Sequence, residues 1–224
     1  MRRRFAIAVE ATLIASLVVN LAPPMGGKAA RFTPPNIETA GDIQYPPDVM
    51  AVGVVTLLLS LDSNAQIQNV QAVRDFPSLT SVVRAATEKW TFTPGKLDGN
   101  PAPSYISVTV IFNPSGPGPA MQSLALSPPE SIPPDASQFT PPQITLASFA
   151  KYPPKSVSGG TVVLDVTVGK TSQISGVRVI RGVASLTAAA VTSVKTWGFN
   201  AATFRGKPAP SQVIIAFVFQ SGTN

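Results

Sequence analysis

The sequence predicts an α+β chain of two tandem small domains, each a three-stranded antiparallel/mixed sheet (ββαβ, order 2-1-3) packed on one helix. Two observations carry this prediction. First, the chain repeats at a spacing of 107 residues without a gap: FTPPNI from Phe32 returns as FTPPQI from Phe139, Tyr45-Pro46 as Tyr152-Pro153, and WTFTPGKLDGNPAP from Trp90 as WGFNAATFRGKPAP from Trp197. Second, the apolar period within each copy runs from 2 to 3.6 and back to 2, the pattern of strands, a helix and a strand. The predicted boundaries are a first domain at 31–113, a Pro/Ser/Gly-rich linker at 114–138 and a second domain at 139–224.

Val55, Leu57, Leu59 and Leu61 share one face of a first strand, matched by Val162, Leu164, Val166 and Val168. A polar turn (DSNAQ, GKTSQ) leads to a second strand near Ile67–Arg74 and Ile174–Arg181, making a hairpin. Leu79, Val82, Val83, Ala86 and Trp90 then recur at helical spacing with Ser78 as N-cap, and Leu186, Ala190, Val194 and Trp197 repeat the stripe. The last strand turns Ile106, Val108, Val110 and Phe112 to the core. Its outward set is Tyr105, Ser107, Thr109 and Ile111 in one copy and Gln212, Ile214, Ala216 and Val218 in the other. A right-handed crossover places this third strand beside the first, leaving the second and third strands as edges. So small a core predicts units that are only modestly stable alone.

Residues 1–30 read as a signal peptide or an N-terminal membrane anchor: MRRR precedes an apolar run at 5–22, interrupted by Glu10, and Gly27 and Ala29 offer small residues for a cut before Ala30. Either way the remainder is exported, to the periplasm or beyond. The chain has no His and no Cys, so imidazole bases, thiol nucleophiles, disulfides and the usual zinc sites are excluded, and neither a metal nor another cofactor is expected. With 23 prolines and 12% charged residues it is neither a long-helix protein nor a self-repelling disordered one.

Gly169-Lys170-Thr171 resembles the end of a phosphate loop, but Leu164 stands where that loop needs Gly, and the segment aligns with a hairpin turn. Asp62, Asp75, Asp98 and Asp165 form no acid/base pair. Trp90 and Trp197 close apolar stripes and read as core anchors. The outward positions of the third strands are the peptide-binding candidates, with packing on the linker, the other domain or a second subunit as the alternative. Charge divides the copies: 32–113 carries four Lys/Arg and seven Asp/Glu, a net of −3, and 139–220 carries eight Lys/Arg and one Asp, a net of +7. That difference suits distinct partners or docking of one domain on the other. The basic domain could meet anionic lipid, cell-wall polymer or acidic peptide, and no nucleic-acid motif is present.

The quoted residues resemble the TonB carboxy-terminal domain family. Tyr45, Gly53, Val55, Trp90, Phe92, Pro94, Gly99, Pro101 and Phe112 carry its pattern, and Tyr152, Gly160, Val162, Trp197, Phe199, Gly206, Pro208 and Phe219 carry it again, with Ala201 in place of a proline. The resemblance implies a non-enzymatic periplasmic domain that contacts envelope or outer-membrane proteins, accepting an extended peptide segment on its final strand. The absence of His, the start of the first domain motif at Phe32 only ten positions beyond the apolar run and the second domain set the chain apart from an energy transducer of that family. A divergent transducer and a structural protein self-associating into homo-oligomers through the same edges are the alternatives.

Overall fold

A computed structural model describes residues 30–46, 52–113, 124–126, 132, 134–135, 137–153, 156 and 158–221. The expected signal peptide or anchor at 1–30, except Ala30, and most of the expected linker lie outside them; among the described residues no helix is long and apolar enough to cross a membrane. The protein is α+β and mostly strand. A first series runs β1 (Phe32–Thr33), β2 (Asn36–Thr39), β3 (Gly53–Leu61), β4 (Ile67–Arg74), α1 (Pro77–Thr87), β5 (Thr91–Thr93), β6 (Gly95–Leu97), β7 (Asn100–Ala102) and β8 (Ser104–Asn113). After β9 (Leu124–Ala125) the order recurs as β10 (Phe139–Thr140), β11 (Gln143–Ala147), β12 (Gly160–Val168), β13 (Ile174–Arg181), α2 (Thr187–Val194), β14 (Gly198–Asn200), β15 (Ala202–Phe204), β16 (Lys207–Ala209) and β17 (Ser211–Phe219).

The main sheet is single and six-stranded, in the order β13-β12-β17-β8-β3-β4. Its centre is the parallel pairing of β8 with β17, where Val108 meets Ile214, Val110 meets Ala216 and Phe112 meets Val218. Paired residues of parallel strands point to the same face. Accordingly Ile214, Ala216 and Val218 join the core of Leu79 and Val83 on α1, while Ile111, Ile215 and Phe217 join that of Leu186, Ala190 and Val194 on α2. The helices therefore cover opposite faces, and each last strand is buried on both.

This corrects the expectation that the third strands are edges. The outward apolar set of the second copy faces the first unit's core because β17 abuts β8: Ile214, Ala216 and Val218 are fully buried, as are Thr109 and Ile111 within one per cent. Ser107 is buried, and Tyr105 and Gln212 are half-buried. The helix starts also differ. Ser78 makes no cap; the N-cap is Phe76, and Thr80 Oγ1 both accepts from Phe76 N (3.0 Å) and donates to its carbonyl oxygen (3.1 Å). Thr187 does the same to Val183 at 3.0 and 2.8 Å. Pro77 opens α1, where its missing N–H costs no helical bond.

Short strands flank the sheet. β2 pairs with β5, β11 with β14 and β9, and the hairpins β6–β7 and β15–β16 carry β1 and β10. Both hairpins turn through two residues of positive φ, Asp98-Gly99 (53° and 89°) and Arg205-Gly206 (51° and 72°), which is what a two-residue hairpin turn requires and glycine adopts without strain. Gly-x-Pro-Ala-Pro is thus a hairpin turn and its return strand. The linker is docked where it is described: β9 pairs with β11, and the buried Asp135 accepts from Ser137 N, Ser137 Oγ and Phe139 N at 2.6–2.9 Å and from Tyr105 N at 3.2 Å. Losing these bonds in Asp135→Ala should leave four donors short of a partner and lower stability by about 2–3 kcal/mol in urea melts.

Candidate functional site

With β8 and β17 joined, the outermost strands of the sheet are β4 and β13, the second strands. Each is paired on one side only among the described residues. Their ladders skip one residue at equivalent places, Gln68 and Val73 on β4 and Ser175 and Ile180 on β13. Such bulges blunt an edge against indiscriminate pairing, leaving 69–72 and 176–179 in regular register.

A groove runs beside each edge strand. One of about 860 Å³ is lined by Gln66, Val70, Arg84, Glu88, Trp90 and Phe92, among others. Its counterpart of about 670 Å³ is lined by Gln173, Val177, Val191, Lys195, Trp197 and Phe199, each 107 residues on. The repeated Trp-x-Phe thus forms part of the wall of both grooves while remaining core: Trp90 is 4% exposed and Trp197 6%. Tyr45 and Tyr152 stack edge-on against Phe112 and Phe219, at 5.3 and 6.0 Å between centroids, at the far end of the last strands.

The grooves differ in their polar furniture. In the first, Arg84 Nη1 reaches from α1 to the carbonyl oxygen of Val70 on β4 (2.6 Å). Val191 takes its place in the second and brings no donor. Behind Trp197 a clasp holds the arm: Trp197 Nε1 and Ser193 Oγ both donate to the Ser148 carbonyl oxygen, at 3.0 and 2.8 Å, and Thr196 Oγ1 lies 2.9 Å from Ser148 Oγ. The first unit has Gly41, Ala86 and Lys89 at these positions, and Trp90 Nε1 is buried with no hydrogen-bond partner among the described residues. Ser193→Ala, which copies Ala86, should therefore cost about 1 kcal/mol, read from the midpoint of urea unfolding by Trp197 fluorescence.

The eight outward third-strand residues, Tyr105, Ser107, Thr109, Ile111, Gln212, Ile214, Ala216 and Val218, lie on β8 and β17, each of which is already paired to a strand on both sides. An added strand would meet them only after the two units part. The sequence places the second strands, β4 and β13, at edges, as found, but makes no residue of them a binding candidate, nor Arg84, although the mixed polar pattern of Ile67–Arg74 signals an exposed strand. Gly169–Ser172 is a hairpin turn, closed by Gly169 N donating to the Gln173 carbonyl at 2.8 Å.

The α+β fold thus presents two edge strands, each beside a groove whose lining includes a Trp-x-Phe. Residues 151–220, from beyond β11 through β17, match the family described as Gram-negative bacterial TonB protein C-terminal. No curated protein and no solved structure matches the chain.

Proposed function

We propose that the chain is a non-enzymatic, TonB-like adaptor of the cell envelope, built from tandem copies at 31–113 and 139–224, that docks extended segments of envelope or outer-membrane proteins by strand addition. The observation that carries this reading is the pair of sheet-edge strands, β4 and β13, each open on its outer side and each flanked by a groove walled by Trp-x-Phe. Unpaired N–H and C=O groups on such an edge supply affinity, and pockets beside it receive alternate side chains. The TonB match of the second unit supports a periplasmic setting and outer-membrane proteins as the partner class. In this reading the third strands are the joint and the second strands the docking surface.

Titrating the isotope-labelled chain with amino-terminal peptides of outer-membrane transporters tests it. Amide shifts are expected along 174–181 or 67–74. Shifts restricted to 104–113 and 211–219 would instead mean that the joint opens to admit the peptide, and no shifts at millimolar peptide would sink the reading.

A further inference from the structure

The two edges differ in chemistry at matched positions. On β4 the Val70 carbonyl oxygen is already bonded by Arg84 at 2.6 Å, so a docking strand must displace a charged donor to pair there. On β13 the matching place on the helix is Val191, and no side chain donates to Val177 among the described residues. Charge follows the same division. Arg178 and Arg181 stand on β13, with side chains 54% and 39% exposed, and Lys195 lines the groove on the other side. Their counterparts beside β4 are Gln71, Arg74 and Glu88. The acids nearest β13, Asp165 and Asp42, are held by Arg178 (2.8 Å) and Arg181 (3.6 Å), and Asp165 is the one acid of the whole unit.

Building on the strand-addition reading, we propose that β13 is the docking edge, that β4 is self-capped by Arg84, and that the segment β13 accepts is an acidic extended peptide. Each arginine is itself paired to one of those acids, so the surplus positive charge is that of Lys195 and of a unit with eight Lys/Arg against one acid. This surplus favours a strand bearing Glu or Asp at alternate positions, which places carboxylates towards Lys195 on the groove side. It also opposes a second copy, because β13 paired to itself sets Arg178 and Arg181 of one chain among those of the other.

The test uses the full chain, isotope-labelled, with a short capped peptide of alternating Thr and Glu and its Thr/Lys counterpart. The Thr/Glu peptide should shift amides along 174–181 and at Lys195, bind at least about tenfold tighter than the Thr/Lys peptide, and leave 67–74 unmoved. Arg84→Val, which copies Val191, should add a second set of shifts along 67–74. Lys195→Glu, which copies Glu88 at an exposed position, should weaken binding at β13. Equal shifts at both edges of the unmutated chain, or equal binding of the basic peptide, would overturn this assignment while strand addition stands. Concentration-dependent broadening along 174–181 without peptide would replace the peptide by a second copy of the chain. No shift on either edge strand with either peptide would remove both readings together.

Discussion

Ala216→Asp unfolds both halves of the protein together. Ala216 lies on β17 but packs in the core of the first unit, opposite Val110, and is fully buried. Arg178, which reaches the Ile37 carbonyl of that core, and Arg181, which lies in one cross-strand row with Val163 and Ala216, are already paired to Asp165 and Asp42. A carboxylate at 216 is therefore a buried charge without a cation of its own, costing about 3–5 kcal/mol. That is a large part of the roughly 5–15 kcal/mol that holds a folded protein together. The loss is shared because the cores interlock: Ile214, Ala216, Val218 and Val163 belong to the first cluster, and Val54 and Ile111 to the second. Trp90 and Trp197 report one core each, so single-tryptophan variants (Trp197→Phe and Trp90→Phe) follow the halves separately in urea. Coincident transitions are expected in the parent, moving down together in Ala216→Asp, with Ala188→Asp at an exposed helix position within about 0.5 kcal/mol of the parent. A Trp90 transition left in place by Ala216→Asp would show that the first unit folds without its neighbour's strand.

The same joint marks where the sequence was legible and where it was not. Alternation at Val55, Leu57, Leu59 and Leu61 and the helical spacing of Leu79, Val83 and Ala86 identify the hairpin and helix because those signals are local. Whether a strand is an edge depends on what lies beyond it, and alternation within one unit does not say. The signal present was 213–219, Val-Ile-Ile-Ala-Phe-Val-Phe, an unbroken apolar run of the kind found where a strand is covered on both faces. Against it, Ser175, Gly176 and Arg178 on β13 and Gln68, Asn69 and Gln71 on β4 have the polar content of an edge. The short hairpins escaped notice because Pro101 and Pro208 weaken a strand reading, though Asp98-Gly99 announces the turn. The Arg84-to-Val191 difference is visible in the repeat, but the carbonyl that Arg84 bonds is known only from the fold.

Replacing Asp165 and Arg178 together by Leu and Gln, the pair that the first unit has at Leu58 and Gln71, stabilises the protein. Asp165 is 4% exposed on β12, and its Oδ1 has no hydrogen-bond partner among the described residues. Its Oδ2 accepts from Arg178 Nε (3.3 Å) and Nη2 (2.8 Å), and Nη2 also reaches the Ile37 carbonyl oxygen (3.2 Å) and Asn36 Oδ1 (3.1 Å) on β2. Asp42 and Arg181 form a further ion pair near this seam, at 3.6 Å, and Thr161 N donates to Asp42 Oδ1 at 3.0 Å. Burial pushes the Asp165 carboxyl above its ordinary value, and the hydrogen bond and charge of Arg178 pull it down by less. An acid whose native pKa is raised binds its proton more tightly folded than unfolded. Its contribution to stability is therefore fully present below the unfolded carboxyl's pKa of about 3.9, and is lost as pH rises through the raised native value. At neutral pH the buried carboxylate opposes folding, which is why a well-packed apolar replacement of an ion pair gains about 1–4 kcal/mol. Urea melts at neutral pH should place the double variant above the parent, and a series from pH 4 to 8 should show the Asp165-linked decline in the parent and none in the variant. Arg178→Gln alone should be the least stable of the set at neutral pH, because it leaves Asp165 buried without its cation. If the double variant were less stable than the parent at neutral pH, the bridge from Arg178 to Asn36 and Ile37 would be holding the seam by more than the buried charge opposes it.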